Sequence, residues 1–186
     1  MIIGLLGFKH VGKSTAAKHL IKNHGFILHN MKGAIISEMK ENLGDLLNEI
    51  VRHLEIKRGS FEIEPWTIDR LFDEKPPLMR ALMVDYGMMR RKDNEDYWVK
   101  QWLSGYAITK GPVVVDDVRF KNEARAIRDM NGILIRLNRS DVTTGGDSIS
   151  ETEHLDIQEH YTINAGPGEE EYVYKVLDQI MSEVLK

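Results

Sequence analysis

Gly7-Phe8-Lys9-His10-Val11-Gly12-Lys13-Ser14 fits the pattern Gly-x-x-x-x-Gly-Lys-Ser/Thr, between the apolar run Ile2–Leu6 and the helix-compatible stretch Thr15–Asn23. The flanks matter as much as the letters, because such a loop works only where a buried strand turns into a helix. Its glycines let the backbone curl until successive N–H groups face phosphate oxygens. The positive end of the following helix adds to that field. Lys13 is placed to reach β/γ-phosphates and the Ser14 hydroxyl to ligate Mg²⁺. Gly7, Lys9, His10, Val11, Gly12, Lys13, Ser14 and Thr15 are therefore the expected ATP-binding residues, His10 filling a variable position. This stretch predicts a nucleoside triphosphate site.

Outward from the loop, strand and helix signals alternate, the signature of a parallel sheet covered on both faces. Phe26–His29, Val113–Val115, Ile133–Leu137 and Tyr161–Asn164 read as further strands. Ala34–Leu43, Leu46–Leu54, Leu78–Met89, Tyr97–Tyr106, Glu123–Met130 and Glu169–Leu185 read as helices. The expectation is an α/β, three-layer P-loop NTPase fold with a parallel five-stranded sheet and a helical insertion. One domain, 1–186, would carry an acceptor-side insertion at about 45–106 and a lid at about 139–153.

Composition narrows the function classes. A chain of 186 residues with 42% hydrophobic and 29% charged side chains is that of an ordinary soluble domain with a sizeable core. It has no cysteine, which removes disulfides, thiolate metal sites and cysteine nucleophiles. No membrane span or secretory signal is evident, so a cytoplasmic setting is expected. The net charge of −4 argues against a nucleic-acid polymer as partner. The stripes of Leu78–Tyr106 could supply a homodimer surface or simply pack into the core.

Asp116 and Asp117 end the three-valine strand, where a carboxylate beside a phosphate loop can hold Mg²⁺. Asp117 is the preferred metal residue together with Ser14, and a turn or cap is the alternative role for either aspartate. Arginines form the next signal, because guanidinium forks neutralise a transferring phosphoryl group. Arg119 lies two residues beyond Asp117, and Arg136 and Arg139 flank the exit of a strand. Lys13, Asp117, Arg119, Arg136 and Arg139 make up the expected catalytic set. Arg80, Arg90 and Trp98 are the expected acceptor contacts, with Trp98 as a base-stacking surface. Asp129-Met-Asn-Gly132 reads as a helix end, and with no Asn-Lys-x-Asp motif a GTPase switch is disfavoured.

Assembled in order, these residues make the chain resemble the bacteriophage-type deoxynucleoside monophosphate kinases. The resemblance runs through Gly7–Ser14, Gly87–Arg91 with Asp96-Tyr97-Trp98, Asp117-Val118-Arg119-Phe120 with Asn122-Glu123, and Ser150–His154 leading to Tyr161–Asn164. Phosphomevalonate kinase is similar at greater distance. The resemblance implies transfer of the ATP γ-phosphate to a deoxynucleoside monophosphate, with Mg²⁺, and implies Glu153 among the substrate contacts. It also implies that Asp117 and Arg119 face the phosphates. One segment departs from the pattern: where relatives carry a proline–leucine–lysine context, this chain has Gly33-Ala34-Ile35-Ile36 after Lys32. A kinase for another small phosphorylated metabolite, or a non-catalytic ATP-binding module, are the competing readings.

Overall fold

A computed structural model describes residues 1–57, 64–142 and 152–185. Five strands, β1 (Ile2–Leu6), β2 (Ile27–Leu28), β3 (Val113–Val115), β4 (Ile133–Arg139) and β5 (Tyr161–Ala165), form one sheet. The order is β2-β3-β1-β4-β5 and each pairing is parallel. The chain thus has the three-layer α/β architecture that its sequence predicts. Among the described residues, no helix is long and apolar enough to cross a membrane.

Contacts divide the chain into two compact units, Met1–Met31 with Val99–Lys186, and Lys32–Trp98. In the first, β1 is buried along its whole length, which is why it is apolar without alternation. Its odd and even residues serve different cores. Ile3 and Leu5 pack with Val114, Ile135 and Ile163 against helices α1 (Lys13–His24) and α8 (Glu170–Val184), through Leu20, Leu177 and Met181. Ile2 and Leu6 pack with Val113, Val115 and Leu134 against α7 (Lys121–Asp129), through Ala124 and Ile127. Trp102 of α6 (Tyr97–Ile108) joins that second core, its indole N–H donating to His29 O at 2.8 Å.

The second unit has helices and no strand among its described residues. It holds most of α2 (Met31–Asn42), then α3 (Gly44–Lys57), α4 (Ile68–Glu74) and α5 (Pro77–Asp93), and the start of α6. Met39, Leu47, Leu71, Phe72, Met79, Tyr86 and Trp98 form its core. The sequence pattern places an insertion at about 45–106; here the unit begins at Lys32, because Met39 of α2 is fully buried in the same core. Helix α4 is the element the periodicity misses. It is only seven residues long, and Thr67 starts it by accepting from Arg70 N at 3.1 Å. Strand β4 runs on to Arg139, and the expected lid at 139–153 lies mostly in residues 143–151, outside the described ones.

A close approach in β1 is testable. A Cβ on Gly4 would sit 2.7 Å from Leu134 Cδ2, 2.9 Å from Ile127 Cδ1 and 3.2 Å from Val118 Cγ2. Overpacking of this kind typically costs about 1–3 kcal/mol. Gly4→Ala should lower the urea midpoint accordingly without changing the slope; an unaltered midpoint would show that the sheet and α7 yield freely.

Candidate active site

The loop after β1 is shaped by backbone that ordinary residues avoid. Gly7 has φ +132°, and a Cβ there would lie 2.3 Å from the carbonyl oxygen of Leu137, so only glycine lets the chain leave β1 this close to β4. His10 and Gly12 adopt left-handed φ values of 70° and 96°. The sequence gives no hint that His10 does so. Alternation of this kind turns N–H groups toward one side, the arrangement that binds anions. Helix α1 begins at Lys13 with no side-chain cap, leaving its first amides to face an anion instead. Lys13 Nζ donates to the carbonyls of Gly7 at 2.7 Å and Phe8 at 2.6 Å, folding over the loop it serves. Lys9, His10, Ser14 and Thr15 are exposed, and Val11 is buried in the core beneath.

Strand β3 brings the aspartates to the loop, and register decides which one arrives. Val115 pairs with Gly4, so Asp116 stands beside the C-terminal end of β1. The Ser14 hydroxyl donates to Asp116 Oδ2 at 2.8 Å, and Asp116 is buried. Asp117 has a different partner. Its Oδ1 accepts from the backbone N–H of Met31, the first residue of α2, at 2.9 Å. Ser14 thus meets Asp116 and not the Asp117 expected beside it, since neighbouring residues leaving a strand diverge.

The turn from β3 into α7 accounts for most of the Asp-Val-Arg-Phe-x-Asn-Glu segment. Val118 and Phe120 are buried. Glu123 reaches back to accept from Arg119 N at 2.7 Å and Phe120 N at 3.1 Å, occupying two amides at the helix start. Arg119 is half-buried at this turn.

Two other expected site residues are committed to architecture. Arg136 is 8% exposed, and its guanidinium donates to Glu159 Oε2 at 2.9 Å, His154 O at 3.0 Å and Ile157 O at 2.6 Å. It ties the segment before β5 to β4 rather than projecting toward a phosphate. Burial works against the Glu159 charge, but Thr162 and Arg136 outweigh it and hold the carboxyl below its ordinary value. His154 in turn packs edge-on against Phe8 of the phosphate loop, ring centroids 5.0 Å apart. Glu153, expected at the acceptor, instead accepts from Lys121 N at 2.8 Å and so caps α7. Arg139 forms a local pair with Asp141 at 2.7 Å.

In the helical unit, Trp98 is a core residue. It is 2% exposed, its indole N–H donates to Gly87 O at 2.9 Å, and it offers no free face for a base to stack on. Arg80 is exposed on α5, with no side-chain partner among the described residues. Arg90 meets Glu38, which the sequence reading passes over. Glu38 accepts from Arg90 Nε at 2.7 Å, from the Tyr86 hydroxyl at 2.9 Å and from the Tyr97 hydroxyl at 2.6 Å. Arg90 also lies over the Tyr97 ring, 5.3 Å from its centroid. The i, i+4 spacing of Tyr86 and Arg90 was the available signal, but nothing in α2 marks Glu38 as their shared acceptor.

No family model matches the chain. A curated protein of Acanthamoeba polyphaga mimivirus, "Putative deoxynucleotide monophosphate kinase", is 30% identical over 174 residues, covering 86% of this chain and 85% of that protein. Among solved structures, shikimate kinase from Bacteroides thetaiotaomicron superposes with a TM-score of 0.44 at 14% identity, over 98% of each chain.

The Glu38 cluster has a pH signature. Burial opposes its charge, yet hydrogen bonds from Tyr97, Tyr86 and Arg90 prevail and lower its pKa in the folded chain. A lowered folded pKa stabilises the protein above the unfolded value, about 4.3, and that contribution fades as pH falls through the folded value. Glu38→Gln should therefore cost about 1–3 kcal/mol at pH 7. Urea titrations of both proteins should show the gap constant from about pH 7 to 5 and shrinking as pH falls through the folded value; a gap that never shrinks with falling pH would deny the charge its role.

Proposed function

The chain belongs to the deoxynucleotide monophosphate kinase family, and on that premise we propose that it transfers the ATP γ-phosphate to a deoxynucleoside monophosphate, giving the diphosphate and ADP. The observation that carries this reading is the Ser14–Asp116 hydrogen bond at the mouth of the phosphate loop. Two hard oxygen donors side by side at the loop support a metal-assisted triphosphate site there.

These donors fit Mg²⁺, which when bound neutralises charge between the β- and γ-phosphates. The chain's own groups do the rest. Loop amides and the uncapped start of α1 hold the phosphate oxygens. Lys13 exchanges its carbonyl partners for phosphate and follows the charge as it develops. Arg119, leaving the β3 turn, is assigned to the transferring phosphoryl group. No general base is needed, because a phosphate monoester with a second pKa of about 6 is already largely dianionic near neutrality. Alignment and charge neutralisation are then sufficient for the reaction. The acceptor is assigned to the helical unit, with Arg80 as an anion contact and the Glu38–Arg90 cluster as a polar one.

A coupled assay across deoxynucleoside monophosphates, ribonucleoside monophosphates and non-nucleotide phosphate esters tests the acceptor. Turnover is expected with at least one deoxynucleotide; turnover confined to a non-nucleotide ester would overturn the acceptor class, and none at all the enzyme reading. Lys13→Ala should cut kcat by about 10²–10³-fold while leaving the circular dichroism spectrum unchanged.

The two aspartates separate by their partners. Asp116→Asn should lower turnover and raise the Mg²⁺ concentration needed for half-maximal rate. Asp117→Ala should leave the Mg²⁺ dependence alone and cost about 0.5–2 kcal/mol of stability through the loss of its bond to Met31. The reverse pattern would return the metal role to Asp117.

A further inference from the structure

Away from the phosphate loop, His19, His24 and Asp178 bring three metal-ligating side chains together, their ligand atoms all within 4.8 Å of one another. His19 and His24 belong to α1 and Asp178 to α8. Both imidazoles turn the same atom inward: Nε2 of His19 lies 2.7 Å and Nε2 of His24 2.6 Å from Asp178 Oδ1.

The group is held from outside as well. Tyr174, one turn before Asp178 on α8, stacks on His19 with ring centroids 4.4 Å apart and planes 4° apart. Asn23 meets His19 Nδ1 at 2.9 Å. Rotation of that amide presents its oxygen to an Nδ1–H, the outer support that fixes a ligating imidazole. The histidine side chains are 10% and 18% exposed and the aspartate 51%, so the cluster is walled by protein on one side and open on the other. Charge attraction alone would be a weak reason for this convergence, since a half-exposed carboxylate is well screened.

We propose that His19, His24 and Asp178 form a binding site for a divalent transition ion of the Zn²⁺ class, with the fourth position open to water or a small ligand. Two imidazole nitrogens and one carboxylate oxygen form a zinc donor set. Nitrogen donors also discriminate against Mg²⁺, so this site and the oxygen pair at Ser14 and Asp116 sort different ions. The bound ion bridges α1, whose first turn carries Lys13 and Ser14, to α8.

The test uses the full-length, tag-free protein and ZnCl₂ in isothermal titration calorimetry, with Co²⁺ as a spectroscopic probe. Wild type should take up one equivalent and give the d–d absorption of a four-coordinate Co²⁺ site. At a hundredfold excess over Kd its Tm should rise by roughly 5 °C or more. His24→Gln should weaken binding by more than about a hundredfold, beyond what loss of a supporting group costs, and erase the Co²⁺ bands. Asp178→Asn, nearly identical in shape, serves the same purpose should His24→Gln not fold. Zinc uptake that survives these substitutions, or wild-type affinity weaker than about 1 mM, would overturn the site.

Discussion

The phosphate loop depends on a steric fact at its first residue. Gly7 leaves β1 so close to β4 that any side chain would strike the Leu137 carbonyl. That approach is what lets the chain turn sharply enough to place the loop amides, and then α1, above the sheet edge. The sheet supplies the rest of the constraint. β1 is hydrogen-bonded on both sides and buried on both faces, so the loop cannot shift without disturbing β3 and β4 together. A site that must align two phosphates within a fraction of an ångström is best hung on such a strand.

Much of this was legible in the chain. Loop letters, an unbroken apolar strand and a following helix identify each other, and Val113-Val114-Val115 can scarcely be anything but buried parallel strand. The helix α4 was not legible, because seven residues hold too few turns for periodicity to register. The functional side chains were harder for a different reason. An arginine near a strand end looks the same whether it waits for phosphate or is already spent on backbone carbonyls, as Arg136 is. Only the partner distinguishes them, and partners are distant in sequence. Trp98 shows the same limit: a tryptophan on an amphipathic helix does not say whether its face is open, and here Gly87 and the core have claimed it.

Several polar side chains act as fasteners between elements, charged ones among them. Arg136 with Glu159 fixes the run into β5, Glu153 fixes α7, and Glu38 gathers Tyr86, Arg90 and Tyr97 in the helical unit. Arg136 and Glu38, buried or half-buried, each gather several partners, as burial of charge requires. The phosphate loop is the exception, with exposed Lys9, His10, Ser14 and Thr15 around an uncapped helix start. That contrast, buried polar groups tied into the frame and solvent-exposed ones around the loop, is itself a reason to place the chemistry there.

The end of β3 shows how framework and site share residues. Asp116 turns to Ser14 and Asp117 to the first amide of α2, so one strand end serves both the phosphate loop and the start of a helix. Val118 and Phe120 then bury themselves, and Glu123 returns to close the amides that the turn exposes. Each residue type in the segment thus has a separate physical reason: carboxylates for two different donors, apolar groups for the core, and a glutamate long enough to reach back. A motif built this way is specific because several independent constraints must be met at once. The specificity belongs mainly to the turn, and the turn's purpose is to hold Asp116 against the loop.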